Sequence, residues 1–126
     1  MRLWLVVGVI LGSCACAQDA PEFFDTHPAA LDSAHFERVF QNSLVEVIRV
    51  RLGPHEKTAA VDLPGHIMTC VSDQHVRLVY PHGKPAERVQ KAGYTGWVDS
   101  NDYRIENLED KPTEWIVVVP RIGERG

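Results

Sequence analysis

The sequence predicts an all-β domain, a sandwich or barrel of short strands. Three observations carry that expectation. Runs of four to nine residues rich in Val, Ile, Leu, Thr and aromatic residues follow one another from residue 35 onward. Turn-forming residues close each run, and this spacing is that of all-β folds. No stretch beyond residue 17 keeps apolar residues at helical spacing for more than about two turns.

Residues 18–34 (QDAPEFFDTHPAALDSA) hold two prolines and little periodicity, so they read as an N-terminal arm with a helical turn at most. Phe23 and Phe24 are its candidate anchors on the domain. His35–Phe40 alternates as a strand should, and Leu44–Leu52 (LVEVIRVRL) is rich in β-branched residues. His66–Val71, His75–Tyr80, Glu87–Gln90, Thr95–Val98 and Tyr103–Leu108 continue the series. Glu114–Pro120 (EWIVVVP) closes the series, and Glu114–Val119 within it is apolar enough to be a central strand buried on both faces.

The breaks are Gly53-Pro54, Leu63-Pro64-Gly65, Pro81-His82-Gly83-Lys84-Pro85, Ala92-Gly93 and Asp99-Ser100-Asn101-Asp102. Each fixes or frees φ where a strand must end. Trp97 and Trp115 are large enough to dominate packing where they sit.

The N-terminus reads as a secretory signal. Arg2 precedes an apolar run, Leu3–Leu11, and Ala15-Cys16-Ala17 offers a small-x-small cleavage site. The run falls short of the roughly 20 residues that span a bilayer. The expected organisation is a signal peptide at 1–17, an arm at 18–34, one β domain at 35–121 and a tail at 122–126. The product is expected to be exported, periplasmic or secreted. Lipid attachment at Cys14, in Leu11-Gly12-Ser13-Cys14, is the competing reading of the same segment.

Cleavage would remove one base and no acid from the chain's 13 basic and 17 acidic residues, leaving a formal charge of −5. No basic patch stands out, which argues against a nucleic-acid partner. No second apolar run reaches membrane-spanning length. Cys14 and Cys16 would leave with the signal, so Cys70 stands alone and no disulfide framework is available. A lone cysteine in an apolar strand reads first as a small buried hydrophobe. A thiol activated by His66 is the sharper alternative.

The ordered set Arg49-Val50-Arg51-Leu52-Gly53-Pro54-His55-Glu56-Lys57, Val71-Ser72-Asp73, Arg77–Lys84, Lys91-Ala92-Gly93 with Trp97, and Ile105-Glu106-Asn107-Leu108 resembles small single-domain cupins. The resemblance covers residues 36–119. It implies a cupin-like antiparallel β-barrel, or double-sheet jelly roll, with a short N-terminal arm. In that family a His-x-His pair, an acid and a third histidine point into the barrel and hold a divalent metal. Alternation explains the pair, since residues two apart on a strand share a face.

This chain departs from the pattern at every ligand. Counted from Gly53, the histidine pair falls at Val61 and Leu63 and the acid near Met68. Counted back from Glu106-Asn107, the last histidine falls at Tyr103. A slip of one residue brings in Asp62 or Asp102 but creates no His-x-His pair. Neither a metal nor another cofactor is therefore expected.

Two states of the emptied site stay open: a filled core, or a small apolar pocket lined by Val61, Leu63, Met68 and Tyr103 with His66, Cys70 and Trp97. The favoured function is a non-catalytic module that binds a small molecule or a protein. One alternative is a metal-independent isomerase- or epimerase-like enzyme using His66, Tyr103, Cys70 and Glu106 as acid–base groups. Another is a metal cupin with rearranged ligands such as His66 and Asp62. His66 follows a Pro-Gly turn, and exposure there is the bland reading. His27, His35, His55, His75 and His82 read as surface residues. A homodimer is expected by analogy with the family alone.

Overall fold

A computed structural model describes residues 27–121 of the 126-residue chain. The expected signal peptide, Cys14, Phe23, Phe24 and the tail lie outside the described residues. One helical turn, α1 (Pro28–Leu31), precedes nine strands. These are β1 (Phe36–Gln41), β2 (Val45–Leu52), β3 (Val61–Leu63), β4 (His66–Cys70), β5 (Gln74–Val79), β6 (Ala86–Gln90), β7 (Thr95–Val98), β8 (Asn101–Asn107) and β9 (Thr113–Pro120).

The strands form two antiparallel sheets, one ordered β1-β2-β9-β4-β7 and the other β3-β8-β5-β6. Period-two burial identifies the face each strand turns inward. On β2 the buried set is Glu46, Ile48, Val50 and Leu52; on β9 it is Thr113, Trp115, Val117 and Val119. On the opposing sheet it is Gln74, Val76 and Leu78 of β5 with Tyr103, Ile105 and Asn107 of β8. The core therefore lies between the sheets. Its apolar members each gain roughly 1.5–3 kcal/mol on full burial.

β9 occupies the centre of the larger sheet, as its sequence suggests, but it is not buried on both faces. Its outward residues Glu114, Ile116, Val118 and Pro120 are only half-buried. β3 is absent from the strand runs read above because three residues carry too little pattern. It forms by pairing Val61 with Tyr103 and Leu63 with Asn101 before Pro64 ends it. An irregularity at Val39 shifts the β1–β2 register between Arg38 and Phe40.

Loops are tied by side chains. Asn107, wholly buried, donates through Nδ2 to the carbonyls of Gly53 (2.9 Å) and Lys111 (2.8 Å) and accepts from the Glu109 N–H. The Gly53–Glu56 turn closes with the Gly53 N–H on Glu56 Oε1 (2.7 Å), and His55 there has φ of 58°. Asp32 accepts from the Ala59 N–H (2.9 Å), which fastens the chain after α1 to the approach of β3.

Two histidines expected at the surface are not there. His27 is buried and caps α1, its Nδ1 accepting the Ala29 N–H (3.0 Å). His35 is largely covered, held between Asp32 and Glu56. Short polar linkers hide such burial from sequence inspection, because the cap and its partner carboxylate lie 19 residues apart.

Candidate functional site

The interior positions singled out from the sequence do turn inward together. Val61 and Leu63 sit two apart on β3, both buried. Tyr103 faces Val61 across the β3–β8 ladder. Met68 and Cys70 project inward from β4, as does His66 at its start, and all three are buried. The donor chemistry of Val61, Leu63, Met68 and Tyr103 does not fit a divalent metal, since no hard or borderline cation takes two aliphatic groups as ligands. Among the described residues no three of His, Cys, Asp and Glu converge as a metal site.

Two expected residues lie elsewhere. Trp97 does not line the interior. The β4–β7 register sets Gly96 opposite Met68 and Trp97 opposite Ile67, on the outer face. The indole is 57% exposed, lies against Gly65, and donates its N–H to Asp99 Oδ1 (2.9 Å). Glu106 also points away, between inward Ile105 and Asn107, and pairs with Arg77 (3.3 Å). Asp62, the ligand of the rearranged-metal alternative, is exposed on the outer side of β3.

The structure brings in two polar residues that the sequence reading missed. Gln74 starts β5 fully buried, and its Nε2 donates to the Met68 sulfur (3.6 Å). Arg88 faces Val76 across the β5–β6 ladder, so it too projects inward. Its Nε donates to Gln74 Oε1 (2.8 Å), and its guanidinium lies 5.9 Å from the centre of the Trp115 ring. Pairing with Val76, an apolar inward residue, was the only available signal for Arg88, and it requires the register.

The electrostatics follow from burial. His66 Nδ1 donates to the Pro64 carbonyl (2.8 Å), which leaves the lone pair on Nε2. Burial lowers the His66 pKa against the opposing effect of that hydrogen bond, and the imidazole stays neutral. Burial raises the Cys70 thiol, with Arg88 pulling the other way, so it is a protonated hydrophobe without the thiolate that reactivity needs. Burial likewise raises Tyr103, opposed by Arg88, and its phenol keeps its proton. Tyr80 packs against Tyr103 with ring centroids 5.9 Å apart. His66, Cys70, Tyr103 and Gln74 thus form a neutral hydrogen-bonding group in the part of the interior near Arg88.

Near the Tyr103 end, a cleft of about 220 Å³ is lined by Ala60, Val79, Tyr80, Pro81, Asp102, Tyr103 and Arg104. A second cleft, of about 160 Å³, includes Gln74, His75, Lys91, Glu109 and Lys111. Gln74 and Tyr103, though buried, each border one of these surface clefts.

Comparison with known proteins gives the fold a family context. No family model matches the chain, and no curated protein matches it. Among solved structures the chain is similar to a cupin domain from Bordetella pertussis Tohama I, at 14% identity and a TM-score of 0.63 over 68% of this chain and 91% of that one. It is similar to an RmlC-like cupin family protein with a double-stranded β-helix fold from Methanocaldococcus jannaschii (15% identity, TM-score 0.55, 71% and 82% covered). A conserved protein with a double-stranded β-helix domain from Klebsiella pneumoniae also matches (19% identity, TM-score 0.52, 68% and 76% covered). Two antiparallel sheets and these likenesses establish the cupin fold.

Proposed function

We propose that this cupin-fold chain is an exported, non-catalytic module that binds a small organic molecule inside its barrel. One observation carries the reading. The positions that would hold a metal in the family instead carry Val61, Leu63, Met68 and Tyr103, inward and buried, while Arg88 and Gln74 supply hydrogen-bonding groups beside them. An apolar wall with a few directed polar groups is the composition of a ligand pocket. Export rests on the sequence alone, on Arg2, the Leu3–Leu11 run and Ala15-Cys16-Ala17.

A fragment screen by ¹H–¹⁵N NMR tests the reading. Binders should shift the amides of Met68, Cys70 and Tyr103 and the Trp115 indole, and should be recovered chemically unchanged. A screen whose hits all perturb exposed loops would sink it.

A second reading is favoured by one specific arrangement. A neutral His66, whose Nδ1 donates to Pro64 and leaves the lone pair on Nε2, and a protonated Tyr103 are both buried on inward faces, and such groups can move a proton without a metal. Recovery of a screened ligand with exchanged deuterium at an acidic carbon, abolished in His66→Ala, would replace the non-catalytic reading. The expected homodimer would use the outer face of the five-stranded sheet. There Phe40, Val47, Val118, Ile67 and Trp97 form one cross-strand apolar row over five strands. Sedimentation equilibrium at several loading concentrations checks it, and a monomer mass throughout would overturn it.

A further inference from the structure

We propose that the surface cleft bordered by Lys91 and Lys111 binds the phosphate group of a small soluble molecule, held between the two ammonium groups. The cleft lies apart from the barrel interior, and the inference is independent of the reading given above for that interior.

The cleft forms where the start of β5, the end of β6 and the β8–β9 turn meet. Its walls are tied to one another. The Leu108 N–H donates to the His75 carbonyl (3.0 Å), which holds the turn against β5. The Lys111 carbonyl accepts from Asn107 Nδ2 (2.8 Å), and the Lys91 carbonyl accepts the Tyr94 N–H (3.0 Å). Both lysine backbones are therefore fixed while the residues themselves stay exposed. A site assembled before its ligand arrives loses less conformational freedom on binding.

The acids of the cleft are already engaged. Asp73 Oδ1 accepts the Ala92 N–H (2.9 Å), and Glu109 Oε2 faces His75 Nδ1 (3.1 Å). The other ring nitrogen of His75 faces Glu87 (2.9 Å), which also lies 3.9 Å from Arg77. Lys91 and Lys111 differ: among the described residues neither ammonium stands within ion-pair distance of a carboxylate. Two spare cations on one recess complement an anion. The whole chain has a formal charge of −4, so local geometry, not general attraction, would hold that anion. The kind of cation narrows the class. No guanidinium lines the cleft, and an ammonium is a point charge with rotatable donors that suits a tetrahedral oxyanion, whereas planar carboxylates favour the arginine fork. At about 160 Å³ the cleft is smaller than the sites of drug-sized ligands, roughly 300–1,000 Å³, so the molecule carrying the phosphate is small. Val89, itself exposed, and Pro112 give its carbon frame an apolar rim.

The experiment titrates n-propyl phosphate, inorganic phosphate and butyrate by ¹H–¹⁵N NMR at fixed ionic strength. The proteins are wild type, Lys91→Gln, Lys111→Gln and Lys84→Gln, the last a lysine of the Pro81–Pro85 turn outside the cleft. All three side chains are exposed, so folding is not at stake. Propyl phosphate should shift the amides of Gln74, Lys91 and Lys111 and bind about fivefold or more tightly than butyrate. Each cleft substitution should weaken it about fivefold, and Lys84→Gln should leave it unchanged. Butyrate binding as tightly as the ester would overturn the phosphate assignment. Inorganic phosphate binding as tightly as the ester would overturn the organic carrier. Equal weakening by Lys84→Gln would reduce the effect to net charge and overturn the site. Tighter binding to vesicles containing phosphatidic acid than to propyl phosphate would overturn the soluble source. Ester shifts confined to Met68, Cys70 and Tyr103 would move the phosphate into the barrel, and no shift at Lys91 or Lys111 would remove the site while leaving the barrel reading to its own screen.

Discussion

His27 and Glu46 are hydrogen-bonded to each other inside the protein, joining the residue before α1 to the inner face of β2. The Ala29 N–H occupies His27 Nδ1, so the proton shared with Glu46 sits on Nε2. Arg38 Nε (2.6 Å) and Arg121 Nη2 (3.4 Å) complete the shell, and Glu46 has no solvent exposure.

Removing that carboxylate is expected to be strongly destabilising, because it is wholly buried and shared by three side chains. Glu46→Leu should destabilise by about 3 kcal/mol, because it removes the buried carboxylate that His27, Arg38 and Arg121 all reach. Burial by itself would raise the Glu46 pKa; the hydrogen bonds from His27 and Arg38 outweigh it and hold the carboxyl below its ordinary range. The folded value lies below the unfolded one, so this contribution is present above about pH 4.3 and is lost as pH falls through the folded value. Urea denaturation at pH 7 and pH 3 checks both statements, and Glu46→Leu should show a flatter acid limb.

His75 should give the opposite sign. Its Nε2 faces Glu87 (2.9 Å) and its Nδ1 faces Glu109 (3.1 Å), and only the imidazolium can donate to both. The hydrogen bonds to Glu87 and then Glu109 raise its pKa. The folded value exceeds the unfolded one, so the tether between β6 and the β8–β9 turn is fully present below about pH 6.5 and fades as pH rises through the folded value. An NMR titration of the His75 ring should place its midpoint above that of a model peptide, and His75→Gln should erase the corresponding decline in Tm. A midpoint at or below the peptide value would contradict the geometry.

The inward placement of Val61, Leu63, Met68 and Tyr103 can be tested by building what is missing. A chain carrying Val61→His, Leu63→His, Met68→Glu and Tyr103→His should acquire cobalt(II) affinity with visible d–d absorption, provided its circular dichroism still reports sheet. A folded variant that stays colourless with excess cobalt would show that the four positions do not converge closely enough to share an ion.

Gly65 is where Trp97 rests. A Cβ there would stand 2.6 Å from the indole ring, so Gly65→Ala should lift the indole off the sheet and weaken its bond to Asp99. The expected result is a red-shifted tryptophan emission with a small loss of stability, under about 1 kcal/mol, since the ring is already exposed. Unchanged emission would mean that the ring takes another seat.

Much of the frame was legible because its strands announce themselves through β-branched runs and turn residues, and the family spacing then placed Val61, Leu63, Met68 and Tyr103. The misreadings share a cause. Trp97 is a pocket candidate in the sequence, yet β7 turns Gly96 and Val98 inward, and a glycine leaves no apolar mark to set the face. Arg88, Gln74 and Glu46 are polar residues on inward faces, so each erases the alternation that would have revealed its side. Only the pairing of Arg88 with Val76, and of Gln74 with Gln90, fixes where they point. Residues that matter most to charge inside the barrel are thus those that local pattern conceals.

β9 lies between β2 and β4, though in the chain it follows both at a distance. A polypeptide still lacking residues 113–120 would hold the β1–β2 hairpin and the β4–β7 pair as separate ribbons, with β2 and β4 each showing an open edge. Closing the larger sheet therefore requires pairing between segments far apart in the chain, a topology that favours slow folding.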